Sequence, residues 1–290
     1  MSTTRNSFRF LDRLRVRWSE VDLQKIVFNG HYLMYFDTAV AGYWRALALP
    51  YHETMAALQG DLYVRKATLE YEASARYDDQ LDIGVRCARI GNSSMVFEAA
   101  VFRGDQRLVH GDLVYVFADP ATQTSRPVPQ VLRDWLLGFE AGEAVVTLRT
   151  GDWATLGSAS RGLRRAVFAD EMGAPVGVIE DAADAQAVHA LAYNRAGFPL
   201  ATGRLLAPAV DVGQIGQIGR MATLAAMRGS GVGKAVLAAL AAASRARGDT
   251  ALVLNAAPSA VPFYARAGFL PTGAVHTEAG VDHIAMRRLT

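Results

Sequence analysis

Two short stretches of this chain hold residues whose types and spacing suit chemistry. In residues 16–35, VRWSEVDLQKIVFNGHYLMY, an acid, Asp22, stands on a short connection just before an apolar helical run. Asn29 reads as the N-cap of that helix. Open backbone N–H groups around Asn29 and Gly30 would form the positive end of a helix dipole, suited to an oxyanion developing on a carbonyl. A carboxylate beside such a point can serve as base or as nucleophile. The bland reading is that an acid ahead of a helix caps it or is simply solvated. His31 has the same two faces: a donor to a carbonyl, or a packed or capping histidine in the first helical turn.

The second stretch is residues 227–234, MRGSGVGK, between an expected strand and an expected helix. Glycine there lets a backbone come close to a phosphate, and the successive N–H groups of Gly229, Ser230, Gly231, Val232, Gly233 and Lys234 would bind its charge, with Arg228 opening the turn. The spacing is not that of a P-loop, and no leading βαβ unit supports a dinucleotide fingerprint. Asn255 ends the following strand, ahead of PFYARAGF, which carries Tyr264. Glu180, Asp181, His189 and His283 are candidate bases toward an amine. The histidines at 31, 52, 110, 189, 276 and 283 show no metal-ligand spacing, so no metal is expected.

Two patterns of elements would position these residues, and they change over near Gly142. The first half reads as a strand over residues 11–18, a helix over 31–49 that is apolar nearly all round, and four strands over 62–73, 80–90, 94–103 and 107–118. Gly91-Asn92 and Gly104-Asp105 mark hairpin turns, so the sheet is antiparallel. Residues 127–140 read as a closing amphipathic helix. The second half alternates: a strand near 145–148, a helical stretch through 163–171, a hairpin with arms 187–193 and 198–206, a strand over 215–224, a helix to about Arg247, a strand over 251–254, a further helix and two strands. That alternation indicates a mixed sheet flanked by helices.

Composition bounds the rest. With 290 residues and 51% of them hydrophobic, the chain can bury two ordinary cores. Thirty Lys and Arg against 28 Asp and Glu leave a net charge of +2, no field suited to nucleic acid or an anionic membrane. The single cysteine, Cys87, lies in an alternating run where a small buried residue belongs. No apolar stretch has the length of a signal peptide or membrane span, so the cytoplasm is the expected compartment.

The run W-S-E-V-D-L-Q-K-I-V-F-N-G-H-Y-L, followed by F-D and by R-Y-D-D-Q-L-D-I at 76–83, resembles the 4-hydroxybenzoyl-CoA thioesterase branch of the hotdog superfamily. The resemblance implies Asp22 as the catalytic carboxylate and carbonyl polarisation by Asn29, Gly30 or His31. It also implies a homo-oligomer formed through this domain. The loop departs from the branch in one place, because Lys25 stands where glycine is common. Arg228-x-x-Gly231-x-Gly233 together with F-Y-x-x-x-G-F at 263–269 resembles the GNAT acetyl-CoA motifs. VFADEMG at 167–173, His189 and the ending at 280–286 resemble the ElaA-like branch. There the glycine turn holds the diphosphate of acetyl-CoA, and the tyrosine, here Tyr264, protonates the departing thiolate.

The expectation is therefore an α+β hotdog domain over 1–141, its antiparallel sheet wrapped on one central helix, followed by an α/β GNAT domain over 142–290. A bifunctional enzyme would hydrolyse an acyl-CoA in the first and transfer an acetyl or acyl group from CoA to an amine in the second. The alternative makes the hotdog half a non-catalytic acyl-CoA-binding and dimerising module serving the transferase.

Overall fold

The computed structural model describes residues 3–207, 214–278 and 281–290. Gly280, which opens the last stretch quoted for the C-terminal resemblance, lies outside them. The chain divides into two compact units, Met1–Val145 and Val146–Thr290.

In the first unit β1 (Phe10–Arg15) precedes α1 (Asn29–Ala46) and α2 (Tyr51–Ala57). Then come β2 (Asp61–Tyr71), β3 (Gln80–Ile90), β4 (Ser94–Arg103), β5 (Gln106–Ala118) and α3 (Gln130–Glu140). The five strands are ordered β1-β3-β4-β5-β2, with every pairing antiparallel. β3, β4 and β5 form the expected meander, while β2 lies beyond it on β5 with its other edge open. One face of the sheet receives α1. Tyr32, Phe36, Tyr43 and Trp44 of α1 are buried, as are Ile83, Val85 and Phe97 of the sheet, and Tyr43 and Phe97 meet edge to face at 5.6 Å. This is the hotdog arrangement.

The helix read as running over 31–49 ends at Ala46, and a second helix follows it. Ala48 takes a left-handed φ of 56°, Pro50 follows, and the chain restarts as α2. A residue in that region reverses the helical path, and proline cannot continue it. α3 closes the unit: Leu132, Leu136 and Phe139 are buried, and Glu140 accepts hydrogen bonds from the Tyr43 hydroxyl and from the Cys87 N–H at 2.9 Å. Burial, helped by the Glu140 charge, pushes the Cys87 thiol up to about 12, so it stays protonated and inert.

In the second unit β6 (Val146–Gly151) leads into α4 (Trp153–Arg164), which a π-helical segment, Arg165–Glu171, extends. β7 (Val188–Asn194), β8 (Pro199–Leu206), β9 (Ile215–Thr223), α5 (Val232–Arg247), β10 (Ala251–Ala256), α6 (Val261–Ala265), β11 (Leu270–Glu278) and β12 (Val281–Leu289) follow. The sheet order is β11-β12-β10-β9-β8-β7-β6, and β9 with β10 is its one parallel pair. Side chains alternate across β8: Thr202 meets Ser160 of α4 at 3.2 Å, whereas a Cβ on Gly203 would lie 2.9 Å from Leu240 of α5. The helices therefore cover opposite faces. This mixed sheet flanked by helices is the GNAT arrangement.

Candidate functional sites

In the first unit the connection from β1 to α1 is a tight loop. Val21 and Val27 bridge across it, the Asp22 N–H donates to the Ile26 carbonyl at 2.9 Å, and the Lys25 N–H donates to the Asp22 carbonyl at 2.9 Å. Lys25 has φ 62°, a conformation glycine adopts freely and lysine at a cost. The substitution noted in the sequence thus leaves the loop in a glycine-like shape. The Asp22 carboxylate accepts the Gln24 N–H at 2.8 Å, an Asx turn that fixes where the side chain stands. Behind it, Glu20 is only 3% exposed. Burial opposes its charge, but bonds from the Arg17 N–H and guanidinium and from the Tyr35 hydroxyl outweigh that cost and hold it below the ordinary carboxylate range. Glu20 is a strut for the loop.

Asp22 and Asn29 line one pocket of about 340 Å³, whose other walls include Tyr32, Tyr71 and Ser74. Asn29 is the first residue of α1 rather than its cap; Phe28 occupies the cap position and no side chain caps the helix. The N–H groups of Asn29 and Gly30 therefore have no intrahelical acceptor. The His31 N–H, in contrast, donates to the Phe28 carbonyl at 2.9 Å. Gly30 and His31 do not line the pocket, and His31 Nδ1 is buried without a hydrogen-bond partner among the described residues. Sequence reading missed the far wall. Tyr71 donates to the Asn29 carbonyl at 3.3 Å and stands edge-on to Tyr32 at 5.8 Å. The only signal for it was a tyrosine at a strand end, 42 residues from Asn29.

In the second unit β9 and β10 pair over only three positions, 215–217 with 251–253, and the strands then part. The turn after β9 stands beside this opening. Gly229 and Gly231 have φ of 83° and 92°, and a Cβ at either would meet nothing within 4 Å. Their backbone conformation is what requires glycine, and open space lies over them. Gly233 is glycine for another reason: a Cβ there would lie 2.9 Å from the Thr223 hydroxyl and 3.9 Å from the Phe263 ring. That close approach brings the two motifs together. Val232, Gly233 and Lys234 form the first turn of α5 with Gly231 as its cap, and Ser230 Oγ donates to the Met227 carbonyl at 2.7 Å. Arg228 donates to both carboxylate oxygens of Glu171, at 2.6 and 2.7 Å.

Tyr264, on α6, is 8% exposed and packs edge to face against Phe263 and Phe269. Burial alone pushes its phenol up to about 12. It therefore stays a neutral hydroxyl, able to donate a proton. Asn255 is exposed near the end of β10, opposite Ala285 of β12.

The candidate bases fare differently. His189 is fully buried, its Nε2 at 2.9 Å from the Asp184 carbonyl and its Nδ1 at 3.4 Å from Arg164. Burial holds its pKa below the ordinary histidine value. It belongs to an interior network in which Arg164 and Arg204 both contact Asp184 at 2.9 Å. Asp181 forms ion pairs with Arg204 and Arg220, which keep it ionised far below the ordinary range. Glu180 pairs with Arg161, and His283 stands across from His276. Of these, Asp181 is tied through Arg220 to the part of β9 that lies beyond its pairing with β10.

Residues 24–110 match the family model of the thioesterase superfamily, and residues 201–290 match that of the acetyltransferase (GNAT) domain. The chain thus joins a thioesterase-superfamily segment to a GNAT domain. Among curated relatives, the acyl-CoA thioester hydrolase YbgC of Escherichia coli O6:H1 is 26% identical over 129 residues, 43% of this chain and 93% of that protein. A putative esterase of Aquifex aeolicus is 26% identical over 127 residues, 43% of this chain and 98% of its own. A putative N-acetyltransferase from Lactobacillus plantarum is similar in structure, with TM-score 0.46 and 28% identity, covering 50% of this chain and 99% of its own. Among the described residues no group of three or more His, Cys, Asp or Glu is placed to hold a metal, and no helix is long and apolar enough to cross a membrane.

Proposed function

We propose that the chain is a two-site enzyme of acyl-CoA, a hydrolase in its first unit and an N-acyltransferase in its second. The observation that carries the first half is the pocket shared by Asp22 and the start of α1. In this reading the thioester carbonyl oxygen takes a hydrogen bond from the Asn29 N–H, which has no intrahelical acceptor, while Gly30, outside the pocket lining, has the weaker claim. Asp22 either draws a proton from the attacking water or itself attacks the carbonyl carbon. The C–S bond breaks, and CoA leaves as a thiolate that takes up a proton from solvent; on the nucleophilic route water then cleaves the acyl–Asp22 anhydride, releasing the carboxylic acid and restoring the carboxylate. His31 has the weakest claim, since its amide is committed to Phe28.

In the second unit the turn 228–234 holds the CoA diphosphate through backbone N–H groups at the start of α5. The amine attacks the acyl carbonyl, the C–S bond breaks, and the Tyr264 hydroxyl gives its proton to the departing sulfur, while the proton shed by the attacking nitrogen passes to solvent and the phenolate regains one from there. Asn255, at the parted end of β10, lies at the edge of the same opening. The free edge of β2, with Val64 and Tyr71 exposed on that strand, supports association of two copies through the first unit.

Incubating the full chain with a panel of acyl-CoA esters, with and without a panel of amines, tests both halves. Free thiol without amine reports hydrolysis, and amide formation reports transfer. Thiol release only when amine is present would leave the first unit as a binding and dimerising module.

A further inference from the structure

The glycine turn after β9 has open space and, at 232–234, amides without an intrahelical acceptor, although the Ser230 N–H expected among them donates to the Met227 carbonyl at 3.3 Å; its one arginine is already occupied. Arg228 grips both oxygens of Glu171, at 2.6 and 2.7 Å, while its Nε donates to the Thr223 carbonyl at 3.3 Å. The two-pronged grip of guanidinium on carboxylate is the geometry by which arginine also takes a phosphate. Glu171 is the last residue of the π-helical segment that extends α4. The pair is half-exposed, at 48% for Arg228 and 38% for Glu171, so water weakens it. Arg228 in turn holds the Glu171 carboxyl below its ordinary range, so the acid stays ionised and competes as an anion.

We propose that Glu171 is a built-in counter-anion which the CoA diphosphate displaces. Cofactor binding then exchanges one anion for another on Arg228 and frees the segment 165–171 from the turn. The proposal rests on reading the second unit as a CoA site. It makes Glu171 a residue that tunes cofactor affinity, and it links occupancy of the turn to the segment that follows α4.

Hydrogen exchange on the full chain tests this locally, whatever the first unit binds. CoA should slow exchange in residues 229–235 of the wild type while speeding it in 165–171. In Glu171→Gln, which keeps the size and removes the charge, 165–171 should exchange fast without CoA, and half-protection of 229–235 should need about three- to tenfold less CoA. S-acetylpantetheine, which has no diphosphate, should bind wild type and variant alike. If Glu171→Gln needs equal or more CoA, if CoA slows exchange in 165–171, or if the variant tightens S-acetylpantetheine equally, the displacement is wrong. If CoA gives the wild type no protection at 229–235, the CoA site itself has been misassigned.

Discussion

The two units place their candidate reactive groups in opposite surroundings. Asp22 stands on an exposed loop beside an open pocket, held by an Asx turn and a buried Glu20 behind it. Tyr264 is sealed by two phenylalanines, 8% exposed, and kept neutral by burial. The difference suits the two reactions proposed for the two units. Hydrolysis needs water at the thioester and a charged group to work on it. Transfer to an amine needs water kept away from the same bond. The interiors differ too: the first unit packs aromatic rings around α1, whereas the second buries Arg164, Asp184, His189 and Arg204. A buried ion network of this kind leaves a costly charge behind when one partner is removed.

The sharpest way to break the comparison is Asp22→Asn. It keeps shape and the Asx turn but removes the base or nucleophile, so hydrolysis should fall about 10²- to 10⁴-fold while transfer is unchanged. Equal hydrolysis in variant and wild type, followed by thiol release, would remove Asp22 from the mechanism. Label found in the Asp22 carboxylate after a single turnover in H₂¹⁸O would assign it the nucleophile's role, because a general base never acquires the label.

Gly231→Glu should come next in size. With φ of 92°, any side chain strains the turn by about 1 kcal/mol, and this one also adds a negative charge where a diphosphate would sit. CoA protection of residues 229–235 should fall by about a hundredfold or more in concentration. Titration of the full chain by calorimetry should then show one CoA site surviving of two. A single site in the wild type would mean that the units do not bind CoA separately.

Legibility from sequence followed how local each signal was. The glycine turn was readable because each glycine answers to a nearby constraint, positive φ at 229 and 231 and the Thr223 contact at 233. The strand hairpins were readable because period and turn residues agree within a dozen positions. The place of β2 at the far edge was not, since pairing with β5 joins residues such as Leu69 and Gly111 that no local pattern connects. Glu171 was missed for the same reason: its partner lies 57 residues on. The end of α1 was overshot by three residues, and α2 after Pro50 was not read, because an alanine in a left-handed conformation such as Ala48 leaves no trace in composition.

Tyr264→Phe should have a smaller effect than either. A thiolate leaves readily, its conjugate acid having a pKa of about 8.5, so protonating it lowers the barrier less than protonating an alkoxide would. Transfer should fall about tenfold, and CoA binding should hold. The pH dependence has a definite sign. The folded phenol, at about 12, lies above its value of about 10 in an unfolded chain. The proton donor therefore persists across neutral pH, and the stability gained by keeping it is full below pH about 10 and is lost as pH climbs toward 12. Wild type should lose stability over that window more than Tyr264→Phe does, as read by denaturant melts of the second unit. Parallel curves would show that the ring environment does not set its titration.

The smallest expected effect bears on the exposed half of the comparison. Lys25 holds φ of 62° without the freedom of glycine, and its side chain lies in solvent, so nothing in its surroundings offsets the strain. Lys25→Gly should relieve the steric cost of that conformation while adding disorder to the unfolded chain. The net gain is about 0.5 kcal/mol, or a rise of one to three degrees in the melting of the first unit. Hydrolysis should be unchanged, because the Val21–Val27 bridge and the Asp22–Ile26 hydrogen bond already set the loop's shape. A large change in hydrolysis would show that the lysine charge, rather than the backbone it sits on, takes part in the reaction. The contrast between a loop-borne acid and a sealed phenol would then need a second charged group on the loop side.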